Sequence, residues 1–280
     1  MITLSSDFGS PYPAAMKGVV CQRTDARLVD IAHDFPRQDV RTAAFWLREV
    51  LPYFPPAVHL VVVDPGVGTD RDAIVVRAGG HALVGPDNGV LLPAARVLAG
   101  STAAGVSGTA QGGALEVFRV REGSREASQT ADPGSDWPPS PGSSTFHGRD
   151  VFAPVAARVH TLGVDAFPAD RGFEPLETWE SLRFPSASVE GDSATGEVLV
   201  VDGFGNVITN VPGAHVRGRF GSAMQVNGEA VPVREAYATV DPGVGIVTVG
   251  SHGNVELAVN RGRGDDHFDL EPGSTVRLAW

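Results

Sequence analysis

Apolar positions recur along this chain in two rhythms. In its first two thirds, short runs such as Ile2 to Ser5, Leu28 to Ile31 and Leu60 to Val63 alternate with stretches of helical spacing. Runs of this length, rich in β-branched residues and closed by Pro or Gly, predict buried parallel strands. Pro11 to Val20 predicts a helix. Asp39 stands as an N-cap, and Val40, Ala43, Ala44, Leu47, Val50 and Leu51 follow on one helical face until Pro52, Pro55 and Pro56 stop it. Ala73 to Ala78 and His81 to Val84 predict two strands across the Gly79-Gly80 turn. From Asp150, again read as an N-cap, the stripe Val151, Val155, Val159 and Leu162 predicts a helix. Pro154 falls in its first turn, and Gly163 is a C′ residue. Strands alternating with helices predict an α/β domain with a mostly parallel sheet.

The second rhythm begins after FPSASVEGDSAT, residues 184 to 195, where composition turns small and polar. A domain boundary there separates 1–184 from 185–280. Beyond it, Val198 to Val201 and Val207 to Val211 flank DGFGN, and Ile246 to Val249 and Val255 to Val259 flank SHGN. Apolar runs joined by short Gly/Asn turns predict hairpins, and no helical period appears. An antiparallel β-barrel or sandwich fits. Between the two rhythms, residues 121 to 145 are rich in Gly, Ser, Pro and Asp and predict a loop.

Composition narrows the field. The chain has 280 residues, 42% hydrophobic and 20% charged, which suits two modest domains. A formal net charge of -11 argues against nucleic acid or an anionic membrane surface as partner. The single cysteine, Cys21, excludes a disulfide framework and a multi-thiolate zinc site. No apolar stretch reaches membrane-spanning length, so a cytoplasmic protein is expected.

The candidate chemistry sits at strand and hairpin ends. The run Leu60 to Val63 breaks at Asp64 into Pro65, Gly66, Val67 and Gly68, with Arg71 seven residues after Asp64. Ligand sites of open α/β sheets form outside the carboxyl ends of the strands, and the glycines let Arg71 fold back toward Asp64. The plainer alternative is an Asp capping a tight turn and an Arg in solvent. Asp7 ends the first strand in the same manner. His147 precedes a helix N-terminus, whose positive end disfavours imidazolium and leaves a ring nitrogen able to accept a proton. His33, His59, His160, His215 and His267 lie in segments with no converging partners. Asp202, Asn206 and Ser251 occupy hairpin turns. There is no Walker A loop, HExxH, GxSxG or GxGxxG after the first strand. Carboxylate, guanidinium and imidazole together can orient and deprotonate a water without metal. Asp and His could instead hold a divalent cation, but an Arg beside the carboxylate repels one.

These segments, taken together, resemble a known family. SSDFG at 5–9, MKGVV at 16–20, VVDPGVGTDR at 62–71, VGPDNG at 84–89, FHGRDVFAP at 146–154 and FGNVITN at 204–210 are similar to motifs of the S-adenosylmethionine hydroxide adenosyltransferases, in the same order. These are adenosine-forming hydrolases, and fluorinases and chlorinases are their relatives. The resemblance implies a Rossmann-like N-terminal domain, a C-terminal β-barrel, and a homotrimer with its site between one subunit's N-terminal domain and the next subunit's C-terminal domain. It implies an Asp64, Arg71 and His147 triad, with Asp7 on the ribose. Phe8, Gln38 and Glu256 are implied to bind the substrate, Phe204 and Asn206 to hold adenine, and Asp202 and Ser251 to lie at the methionyl end. S-adenosylmethionine is then substrate, not cofactor, and no cofactor or metal is required. Halogenases carry Tyr and Thr in place of Asp64 and Val67, and Trp in place of Gln38, which favours water as nucleophile here. The rival expectations are a chlorinase-like halogenase, a sensor that binds S-adenosylmethionine or adenosine without turnover, and a metal-dependent hydrolase.

Overall fold

Alternation at the first strand shows how the sequence builds the sheet. In β1 (Ile2–Ser6), Ile2 and Leu4 face one layer and Thr3 and Ser5 the other, as the two-residue period of a strand requires. The computed structural model describes residues 1–100, 115–121, 123, 137–139 and 142–280. Much of the loop expected at 121 to 145 therefore lies outside the described residues. The chain divides into two units, Met1–Arg183 and Phe184–Trp280.

In the first unit the chain runs through α1 (Tyr12–Cys21), β2 (Leu28–Ala32), α2 (Val40–Val50), β3 (Val58–Val62), β4 (Ala73–Ala78), β5 (His81–Pro86), α3 (Leu92–Gly100), β6 (Glu116–Val120), α4 (Ala153–Leu162) and β7 (Phe173–Pro175). The sheet order is β2-β1-β3-β5-β4-β6-β7. The ladders among β2, β1, β3 and β5 are parallel. Those among β5, β4, β6 and β7 are antiparallel. The α/β class stands, and the sheet is mixed, with a parallel half and an antiparallel half. Helices α1 and α4 bury Met16, Val20, Val155 and Val159 against Ile2, Leu4, Leu60 and Val62. Full burial of each such side chain contributes roughly 1.5–3 kcal/mol. At the start of α2, Asp39 accepts the Thr42 N–H at 2.9 Å, the N-cap expected from the sequence.

Asp150 does not play that part. Winding starts earlier, in a wide π turn over Gly148–Phe152 that leads into α4. The Asp150 N–H already bonds the Phe146 carbonyl, and the Asp150 carboxylate is held by Arg149. Pro154 supplies a reason. Its ring crowds the carbonyl four residues back, and its nitrogen has no hydrogen to donate there, so a tight α turn through Asp150 is disfavoured.

The second unit holds β8 (Ser188–Glu190), β9 (Ser193–Val201), β10 (Val207–Pro212), β11 (Ala223–Val226), β12 (Glu229–Pro232), β13 (Gly245–Val249), β14 (Asn254–Val259) and β15 (Thr275–Ala279). All of its ladders are antiparallel, in the order β12-β11-β15-β9-β10-β14-β13, with β8 on β9. A bridge from Val233, just past β12, to Val247 in β13 brings the two outer strands together, so the barrel is nearly closed. Val198, Val207, Leu257, Val276 and Leu278 fill it. Two short helices, α5 (Ala214–Arg217) and α6 (Gly264–Phe268), interrupt the strands. Each is too short to show a helical period.

Candidate active site

The strand order places the site. After β1 the chain crosses to β2 on one side, then to β3 on the other side of β1. A reversal of this kind opens a crevice outside the carboxyl ends of the two strands, where α/β sheets bind ligands. Asp7 follows β1 and Asp64 follows β3. Both line one cavity of about 560 Å³, with Phe8, Tyr12, Gln38 and Phe146. That volume suits a small organic ligand.

Asp7 is buried, and one of its oxygens accepts the Gln38 N–H at 2.7 Å. Gln38 turns this N–H inward by adopting φ 62, a left-handed conformation uncommon for a residue with a side chain. Phe8, Tyr12 and Phe146 stand edge to face, with centroids 5.4 to 6.3 Å apart, and form an aromatic corner beside Asp7. Tyr12 was missed from the sequence. It sits in the first turn of a helix, with nothing in its spacing to mark it.

The turn after β3 folds back as expected. Arg71 Nη2 donates to Asp64 Oδ2 at 2.5 Å, and Arg71 Nη1 donates to the Asp72 carbonyl at 2.7 Å. Both side chains are nearly out of solvent, at 4% for Asp64 and 10% for Arg71. Gly68 makes the turn possible. Its φ is 81, and a Cβ there would lie 2.6 Å from the Ser144 carbonyl oxygen. Burial raises the Asp64 carboxyl above its ordinary range, while Arg71, then His147, pull it back. The second oxygen, Asp64 Oδ1, and Arg71 Nε are buried with no protein partner. Buried polar atoms are almost always satisfied, so these two are exceptions at the end of β3. The Arg71 guanidinium also lies over the Phe152 ring, 5.5 Å from its centroid. His147 stands at the head of the π turn and, with Arg71, lines a second cavity of about 450 Å³.

In the second unit, the β9–β10 turn is tied by Asp202. Its Oδ1 accepts the N–H groups of Phe204 and Asn206, and its Oδ2 accepts the Asn206 side-chain amide at 2.9 Å. Gly205 permits the turn, at φ 87 with Arg263 Cβ 2.7 Å from where its own Cβ would be. Phe204 projects from this turn with 81% of its surface exposed. Glu256 is buried, accepting the Tyr237 hydroxyl at 2.5 Å and lying 3.3 Å from His252 Nε2. Burial, with Glu256 beside it, pushes the Tyr237 hydroxyl well above its ordinary range. Ser251 is exposed in the β13–β14 turn next to this cluster. Tyr237 has no mark in the sequence, since its contact with Glu256 depends on the barrel bringing distant turns together.

Several histidines expected to stand alone have partners. His59 meets Thr3 and His81, His33 meets Ser6 and Asp30, and His160 meets Thr24 and the N-terminal amine. His215 stacks on Trp280, and His267 packs edge-on to Phe268. Among the described residues no group of three or more His, Cys, Asp or Glu side chains converges as a metal site. None of their helices is long and apolar enough to cross a membrane.

Comparison with known proteins bears on this geometry. Residues 2–166 match the model of the SAM hydroxide adenosyltransferase N-terminal domain, and residues 196–277 that of its C-terminal domain. The chain is 43% identical over 278 residues to an (R)-S-adenosyl-L-methionine hydrolase of Thermus thermophilus, covering 98% of this chain and 97% of the relative. It is 40% identical over 280 residues to the protein of that name in Salinispora tropica, covering 99% and 97%. A crystal structure of an uncharacterized conserved protein from Thermotoga maritima aligns over 100% of both chains, with TM-score 0.76 and 31% identity. One of a conserved hypothetical protein from Thermus thermophilus aligns over 99% and 98%, with TM-score 0.70 and 36% identity.

Proposed function

The chain belongs to the SAM hydroxide adenosyltransferase family, and we propose on that premise how it works. It hydrolyses S-adenosyl-L-methionine to adenosine and L-methionine, with Asp64, Arg71 and His147 acting on the attacking water. The unsatisfied Asp64 Oδ1 and Arg71 Nε carry this reading of the site. A water there donates to the carboxylate and accepts from the guanidinium, which aims a lone pair away from both. Asp7 holds the ribose hydroxyls in the same cavity and so fixes C5′. Phe8, Gln38 and the aromatic corner wall the nucleoside.

The sulfonium is already a good leaving group, so the enzyme's task is to place a weak nucleophile. Holding water in line with C5′ is worth roughly 7–11 kcal/mol of barrier. As the new O–C5′ bond forms, the C5′–S bond breaks and its electron pair stays on sulfur, giving the thioether of methionine. The water's proton passes to Asp64 or His147, and this assistance adds about 10² to 10⁴-fold. Approach of hydroxide character to a sulfonium cancels charge, which a dry pocket favours. The burial-raised carboxyl of Asp64 makes a stronger base than an exposed carboxylate. That same carboxylate repels halide, which weighs against a halogenase.

We assign the methionyl end and the adenine to the second unit. Asp202 and Glu256 supply carboxylates for the ammonium, with Ser251 beside them, and Phe204 with Asn206 receives the base. The exposed ring of Phe204 supports this, because a bare aromatic at a hairpin tip suits stacking. A ring of three subunits would join the first unit of one chain to the second unit of the next. The single cysteine, Cys21, suits a reducing cytoplasmic setting. The test is incubation with S-adenosyl-L-methionine, with and without EDTA, and chromatography for adenosine. Equal adenosine formation in both supports metal-free hydrolysis, and none in either overturns the reading.

A further inference from the structure

Two cavities meet at the Asp64–Arg71 pair. Asp64 lines the aromatic cavity, whereas Arg71 and His147 line the other. The ion pair at 2.5 Å is thus part of the partition between them. The second cavity has a different character. Beyond Arg71 and His147, its walls carry Asp72, Arg119, Arg121 and Glu174. Arg119 Nε donates to Asp72 at 2.9 Å and its Nη1 to Glu174 at 3.2 Å, while Arg121 Nε donates to Glu174 at 3.1 Å. With Asp70 at the edge, three arginines face three carboxylates. Such a lining has no surplus charge for an anion or a cation, and its Asp72 and Glu174 carboxylates are already engaged. It is polar and roomy, however, and about 450 Å³ holds on the order of ten waters at ~30 Å³ each.

Building on the hydrolysis reading above, we propose that this polar cavity is the route by which water reaches the reacting centre and the proton leaves it. A bound ligand covers most of its own surface and closes the aromatic cavity. The nucleophile then has no exchange through that side, and the proton released by each turnover has no exit there. The cavity behind Arg71 and His147 supplies both. One water passes from it, past the Arg71 and His147 side chains that line it, to the Asp64 carboxylate. During attack the oxygen bonds C5′, the C5′–S pair goes to sulfur, and the water's proton moves to a ring nitrogen of His147. The imidazolium then releases that proton to a cavity water, and the Asp72 and Glu174 carboxylates favour its transit to solvent. Arg119 is a positioning residue. By holding Asp72 it steadies the segment whose carbonyl accepts Arg71 Nη1 and the Asp87 N–H.

Filling the cavity tests this. Ala73 lines it, is half-buried at the start of β4, and has no place in the catalytic set or the substrate pocket. The series Ala73→Ser, Ala73→Leu and Ala73→Phe is assayed for kcat, for KM with S-adenosyl-L-methionine, and for adenosine affinity by calorimetry. The Ser variant keeps wild-type turnover. With Phe, kcat falls about tenfold or more while KM and adenosine affinity change by less than about twofold, because supply of nucleophile is lost and binding is not. Should Ala73→Phe fail to bind adenosine, Arg121→Trp narrows the rim instead, from a side chain that is already 54% exposed. Plugged variants that bind adenosine and turn over at the wild-type rate overturn the cavity's role and leave the hydrolase reading intact. Absence of adenosine formation by the wild-type chain in the same assay overturns the hydrolase reading itself.

Discussion

His59 Nε2 lies 2.9 Å from His81 Nδ1, and the two rings stack 5.1 Å apart inside the first unit. Thr3 Oγ1 engages the other nitrogen of His59 at 2.8 Å, so the ring is fully used and fully buried. Burial, and then the neighbouring His81, pull the His59 imidazole down to about 3 from 6.5. Burial also lowers His81. Both rings stay neutral in the fold where the unfolded chain takes up protons. Stability is therefore fully present above about pH 6.5, declines on acidification below it, and goes on declining toward pH 3. Each such group contributes at most ~1.4 kcal/mol per pH unit. The paired carboxylates Asp30 and Asp170 are lowered and act only below about pH 4, whereas the raised Asp64 and Asp87 carboxyls act in the opposite sense to the histidines. Urea unfolding between pH 6.5 and 4.5 should show falling stability, and His59→Gln should flatten that slope. An unchanged slope in the variant would remove His59 as its source.

Arg71 sets the working range of Asp64. Burial raises the carboxyl, and the guanidinium holds it down. The carboxylate must be ionised to orient the attacking water, so turnover should fall as pH drops through that raised value. Arg71→Met removes the main lowering contact, and the acid limb of kcat should move to higher pH as the maximum declines. Asp64→Asn should cost about 10² to 10⁴-fold in kcat and leave adenosine affinity nearly unchanged. An Arg71→Met profile with its acid limb at lower pH would contradict the pairing as described.

Asp7 should act on binding instead. Charge-assisted bonds from ribose hydroxyls contribute roughly 1.5–3 kcal/mol each. Asp7→Ala should therefore weaken adenosine affinity by at least about tenfold. Asp7→Asn should fall between, because an amide oxygen can still accept the Gln38 N–H that fixes the side chain. Calorimetry showing the order wild type, Asn, Ala supports the ribose role, and equal affinities would end it.

What could be read from the chain follows from the range of the interactions. The apolar run before Asp64, the Asp39 cap and the hairpins of the second unit are local patterns, and each appears in the structure. The antiparallel half of the sheet is different. β7 has three residues, too few for a period to register, and it is recruited by β6 from far along the chain. Asp150 looked like a cap because cap residues are recognised one at a time, whereas the π turn depends on Pro154 and Phe146 together. The lone-histidine reading failed for a similar reason, since Thr3 and His59 are brought together only by the β1–β3 register. The Arg119, Glu174 and Asp72 network is likewise invisible until three strands are paired. Asp64 and Arg71 were accessible because one turn holds both.

The last prediction concerns assembly. The residues proposed for turnover come from two units of different grammar: Asp7, Asp64, Arg71 and His147 from the first, and Asp202, Asn206, Ser251 and Glu256 from the second. Phe204 strengthens the case for a partner, because an aromatic ring 81% exposed at a turn gains from being covered. If the two halves of each site come from different chains in a closed ring of three, every chain contributes to two sites. Light scattering should then report three times the mass of 29.2 kDa. Subunits carrying Asp64→Asn and subunits carrying Asp202→Ala should each be nearly inactive as pure oligomers. After dissociation and joint reassembly, some junctions unite an intact first unit with an intact second unit. Mixed rings should recover part of the wild-type kcat, at unaltered KM in the restored sites. A junction within one chain forbids this, since every chain then carries a defective site. Proven mixed oligomers without recovery would rule out the shared site, and a monomeric mass would remove its basis.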